Sequence, residues 1–117
     1  MTVDHLAEIR RRCLALPRVS ERASYGQPAW FAGQKKMFAM LDWRRPAVWC
    51  AAPPGRQAEY ISRASRQFFR PPYLGPKGWL GIYLDTPGVD WGQVDSLLTD
   101  GYRLVAPTNL VSLLDAA

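Results

Sequence analysis

Few residues in this chain are of a type and spacing that could do chemistry. The only histidine, His5, stands near an expected helix start with no serine, cysteine or acid arranged around it, so neither a triad nor a dyad is implied. The two cysteines, Cys13 and Cys50, fall in apolar surroundings on an expected helix and an expected strand. That context suits buried thiols better than a disulfide or a reactive pair. Two cysteines and one histidine without carboxylates at ligand spacing do not make a zinc site, so no metal is expected. The acids are scattered singly, and neither the phosphate-loop nor the dinucleotide glycine pattern occurs. Gly75-Pro76-Lys77-Gly78 is a glycine-flanked cation, but Pro76 removes one of the backbone donors that an anion-cradling loop uses. The expectation is a binding protein, with no catalytic residues, no cofactor and no enzymatic activity.

Bases and aromatics are the remaining signal. Arg10, Arg11, Arg12, Lys35, Lys36, Arg44, Arg45 and Lys77 are candidate contacts to nucleic acid or another anion. Tyr73 and Trp79, on either side of Lys77, are candidate lining for a ligand pocket. Trp30, Phe31, Trp43, Trp49, Phe68 and Phe69 lie among the bases, the mixture that single-strand binders use to track a backbone and stack on bases. The plainer reading is that aromatics fill the core of a small sheet domain and that charge runs are solvated faces. Glu8 and Arg12, for example, form an i,i+4 pair in the stabilising orientation.

The elements that must hold these residues are read from periodicity. Leu6, Ile9, Cys13 and Leu16 mark one face of a first helix, which Thr2 can cap and Pro17 ends. Residues 18–28 read as a polar connection. Residues 29–32 and 35–42 read as strands joined by a two-residue turn at Gly33-Gln34, with Met37, Ala39 and Leu41 on one side of the second strand. A third strand covers 47–52 and a helix 56–66, and Phe68 to Arg70 is a brief extended piece. Within Pro71–Asp85, residues 79–84 alternate, with Trp79, Gly81 and Tyr83 facing one way and Leu80, Ile82 and Leu84 the other. This strand is expected to be central to the sheet. Asp90 caps a helix reaching about Leu104, and residues 110–114 form a short terminal helix. Lys35-Lys36 and Arg44-Arg45 then sit in successive turns, at opposite ends of the strand they share. A single groove uses both pairs only if the sheet curves strongly.

At 117 residues with 48% apolar content, the chain suits one domain with its own core, spanning 1–117. The class is α+β: a single two-layer domain, with a curved antiparallel sheet packed against helices. The apolar runs are too short to cross a membrane and the start lacks an export signal, so a cytoplasmic protein with no membrane contact is expected. Net charge is +5, and all bases but Arg103 precede residue 81, a polarity that can steer an anionic partner.

Several short motifs occur in order along most of the chain. They are Leu16-Pro17 with Val19 and Glu21, then Gly33 to Ala39, then Pro72-Tyr73-Leu74-Gly75 with Gly78-Trp79. Leu84-Asp85 and Tyr102 to Pro107 follow. Together they resemble the MmcQ/YjbR-like family of small bacterial proteins. The resemblance implies a double-wing type of α/β fold and a DNA-binding label drawn from fold similarity, and it brings no catalytic residues. Where similar sequences continue after the Ala-Pro step with Lys and Arg, this chain has Thr108-Asn109. The function expected is a non-enzymatic nucleic-acid binder. The alternative is a module for a protein or small anionic ligand, with a homodimer or another protein as its partner.

Overall fold

A computed structural model describes residues 3–116. Ten elements are named in chain order: α1 (His5–Leu14), β1 (Val19–Ser24), β2 (Gln27–Ala32), β3 (Lys36–Asp42), β4 (Ala47–Cys50), α2 (Arg56–Arg63), β5 (Phe68–Phe69), β6 (Leu80–Tyr83), α3 (Trp91–Val105) and α4 (Thr108–Ala116). A 3-10 turn at Gly75–Lys77 precedes β6. The six strands form one antiparallel sheet in the order β1-β2-β3-β4-β6-β5, so β6 lies one strand in from an edge and not at the centre.

The alternation expected for β6 is present. Leu80, Ile82 and Leu84 join the main core beneath the helices, while Trp79 and Tyr83 belong to a second cluster on the other face. In β3 the expected alternation fails. Trp30 pairs with Ala39 but Phe31 pairs with Met37, so Phe38 is a bulged residue. The bulge places Phe38 in the main core with Ala39 and Leu41, and sends Met37 to the other face. Residues 18–28 are also not merely a connection, because they contain the edge strand β1 and the turn into β2. The β2–β3 turn has three residues rather than two, since Ala32 pairs with Lys36.

Four elements cover the main face. Ile9 and Cys13 of α1 are fully buried, and the helix is capped by Asp4, whose side chain accepts from the Ala7 amide. The cap expected at Thr2 lies outside the described residues. In α3, the Asp90 carboxylate accepts from the Gln93 amide at 3.1 Å, as its position predicts. Its buried side contains Val94, Leu97, Leu98, Gly101 and Tyr102. Tyr102 meets Phe38 edge to face at 5.6 Å and donates its hydroxyl to the Pro17 carbonyl at 2.7 Å. Tyr60 of α2 packs on Phe68, and Leu110 of α4 reaches the same core.

The opposite face is lined by Ala29, Phe31, Met40, Ala47 and Trp49, with Trp79 at one end. Among the described residues, the helices contribute only Val105 to this cluster. Cover comes instead from Leu74 in the segment before β6, from the Arg22 guanidinium 3.6 Å above Phe31, and from Phe69. The Phe69 ring lies where a side chain on Gly81 would be, which explains a glycine inside a strand.

Candidate anion-binding surface

The strand register decides which bases can act together. One end of the sheet gathers the starts of β1, β3 and β6 with the finishes of β2, β4 and β5, since Val19 faces Ala32, Cys50 faces Leu80, and Phe69 faces Gly81. Lys35 on the β2–β3 turn and Lys36 at the start of β3 stand at this end, and Lys77 stands there just before β6. Arg44 and Arg45 stand at the other end, in the turn from β3 to β4. The two pairs are thus separated by the length of β3.

Ion pairing divides the bases further. The Arg10 guanidinium grips Glu21 with two hydrogen bonds, at 2.8 and 2.7 Å. Arg11 and Arg12 both bind Glu8, and Arg12 also reaches Asp95 at 2.7 Å while lying over the Trp91 ring. Arg44 turns back on Asp42, and Arg45 on Asp85. Arg56, Arg63 and Arg103 are paired as well, with Asp100, Glu59 and Asp115. Five of the sequence candidates are thus engaged inside the fold, and Lys35, Lys36 and Lys77 are the ones without an acidic partner among the described residues.

Two further bases stand at the same sheet end without acidic partners among the described residues. Arg18 precedes β1 and Arg70 follows β5, and both are exposed. Sequence reasoning passed over them because each is a lone base beside a proline. A usable signal was there only for Arg70, which has no acid three or four positions away, whereas Arg18 has Glu21 three positions on and is left free because Glu21 pairs with Arg10. Arg18, Lys35, Lys36, Arg70 and Lys77 therefore follow the rim of the sheet, which spans roughly 24 Å from β1 to β5 at ordinary strand spacing.

The aromatic candidates separate by burial. Trp30, Phe31, Trp49, Phe68 and Trp79 are buried, Trp79 at 7% exposure within the second cluster. Tyr73 is 92% exposed and has a positive φ of 63°, unusual for a non-glycine residue. Backbone hydrogen bonds from Gly75 to Pro71 and from Leu74 to Pro72 close the turn that holds it out, between Arg70 and Lys77.

The groups best suited to nucleophilic or base catalysis are occupied. Burial raises the Cys13 thiol well above its ordinary value and pushes Cys50 up to about 12. His5 Nε2 donates to the Leu84 carbonyl at 3.1 Å.

No curated protein matches the chain. Its fold is similar to the crystal structure of a Deinococcus radiodurans protein carrying the DUF419 domain, with a TM-score of 0.77 and 21% identity, over 89% of this chain and 80% of that one. At that identity the likeness speaks to fold alone. A family model described as YjbR matches residues 14–104, from the end of α1 through nearly all of α3, and the chain belongs to that family.

Proposed function

We propose that the protein is a non-enzymatic nucleic-acid-binding module that contacts phosphates with Arg18, Lys35, Lys36, Arg70 and Lys77 and stacks a base on Tyr73. One observation carries this reading. Among the described residues, eight of the fifteen bases are paired with acids, and five of the seven that are not stand at one end of the sheet. Unpaired, exposed cations in a row suit a polyanion, because each phosphate contact releases condensed counterions without first breaking an internal ion pair. An exposed aromatic held out from the same rim supplies a sequence-tolerant stacking surface. The burial of both thiols and the engagement of His5 favour binding over catalysis.

A fluorescently labelled single-stranded oligonucleotide tests the proposal by anisotropy at several salt concentrations. With about five contacts, affinity is expected to fall on the order of 10²-fold between 50 and 200 mM salt. Lys35→Ala with Lys36→Ala should weaken binding and flatten the salt slope, whereas Arg10→Gln and Arg44→Gln should leave both nearly unchanged. Equal losses from the two sets, or no binding at low salt, would defeat the assignment.

A further inference from the structure

At the opposite end of the sheet, a groove of about 680 Å³ opens between the turn after α2 and the turn after β6. That volume falls within the roughly 300–1,000 Å³ typical of small-molecule sites. Arg45, Ser65, Arg66, Gln67, Tyr83 and Thr86 line it with two guanidiniums, three hydroxyls and a carboxamide, and no acid is among its lining residues. Arg45 is held in place: Asp85 accepts from its Nε at 3.1 Å with both oxygens, and its guanidinium lies 3.6 Å from the centre of the Tyr83 ring. Phe69 stacks on Tyr83 at 4.3 Å, so the phenol is clamped between Phe69 and Arg45.

Asp85 balances the charge of Arg45, which leaves Arg66 as the uncompensated cation of the groove. Arg66 is exposed and has no acidic partner among the described residues. The Thr86 hydroxyl oxygen is shielded from solvent and makes no hydrogen bond among the described residues. A buried hydroxyl left in this state costs free energy that a partner would recover.

We infer that this groove binds a small molecule carrying a phosphate group. Donors come from Ser65 and Arg66 on one wall, from Arg45 in the turn before β4 and from Tyr83 at the end of β6, and the shielded Thr86 hydroxyl stands behind the other wall, within reach after a side-chain rotation. That distribution suits a tetrahedral oxyanion with several acceptors better than a planar carboxylate with two. A phosphate fills only a fraction of the volume, which leaves space for an organic part beside the half-buried Tyr83 ring. The inference does not rest on nucleic-acid binding at the other sheet end, because the two sites share no residue.

Phenyl phosphate titrated into isotope-labelled full-length protein, followed by backbone amide chemical shifts, tests it. Saturable shifts are expected at Ser65, Arg66, Gln67 and Thr86, phenol should produce none, and benzoate should bind more weakly. Arg66→Gln should weaken binding about tenfold or more through loss of a charge-assisted hydrogen bond, and Arg66→Lys should recover part of it. The Lys35→Ala, Lys36→Ala protein should bind phenyl phosphate as the unaltered protein does. The inference is overturned by the absence of saturable shifts up to about 10 mM, a concentration at which even weak specific sites fill. It is equally overturned if benzoate binds as tightly, if Arg66→Gln has no effect, or if the shifts cluster at Lys35, Lys36 and Lys77 instead.

Discussion

Glu21 ties the first helix to the sheet. It accepts from Arg10 of α1 and, at 2.8 Å, from the indole nitrogen of buried Trp30. The Arg10 guanidinium, and secondarily the Trp30 indole, hold its carboxyl below the ordinary value against the opposing cost of burial. A carboxylate whose folded pKa is depressed contributes stability above its unfolded pKa, and that contribution is lost as pH falls through the folded value. Glu21→Gln is expected to cost about 1 kcal/mol at pH 7, discounted for the partial exposure of the pair. The gap from the unaltered protein should close as the pH is taken below the usual carboxylate range, as urea denaturation at neutral and acid pH can show. The thiols give a second expectation. Buried and with raised pKa values, Cys13 and Cys50 should resist a thiol reagent in the native protein and react on unfolding. At this scale the sequence was readable where partners are local. The pairing of Glu8 with Arg12 follows from helical spacing, whereas those of Arg10 with Glu21 and Arg12 with Asp95 cross between elements and appear only in three dimensions.

Among the elements, α3 comes close to the backbone just beyond the end of β4. A side chain added at Gly101 would lie 2.6 Å from the Ala51 carbonyl oxygen, a backbone atom that cannot swing away. Gly101→Ala should therefore destabilise the protein by about 1–3 kcal/mol through overpacking. That outcome reverses the gain of up to about 1 kcal/mol that alanine brings to an ordinary helix interior. Thermal or urea denaturation of the variant measures the sign directly. The helices were legible because each carries an apolar stripe and, in α3, a cap at Asp90. The strand β1 was not, because Val19–Ser24 is an edge strand with polar residues on both sides and lacks the apolar alternation that marks a half-buried one. The bulge at Phe38 was equally hidden. It arises from the pairing of β3 with β2, and the single extra residue inverts the facing of every position on one side of it.

Across the whole molecule, folding redraws the charge map. In sequence the bases fill the first two-thirds and the acids dominate the end. In space, Asp85, Asp95 and Asp100 return to pair with Arg45, Arg12 and Arg56. The polarity that remains runs along the strands, with unpaired cations at the rim holding Lys35, Lys36 and Lys77 and a single uncompensated arginine at the far groove. Such an arrangement predicts independence. Saturating phenyl phosphate should leave oligonucleotide affinity unchanged once ionic strength is matched, and competition between the two would mean that both ligands use one surface.

The two borders of the sheet have a consequence for self-association. A strand with a free backbone edge invites another chain to extend the ladder. On one side β5 offers only Phe68–Phe69 before Pro71-Pro72 removes two amide donors. On the other, β1 carries Glu21 and Arg22 in mid-strand, so a second copy docking antiparallel about them would have to bring further charge alongside and disturb the Arg10 grip on Glu21. Neither border is a ready template for fibre growth, and the aromatic sheet face that the helices leave largely uncovered lies between two guarded edges.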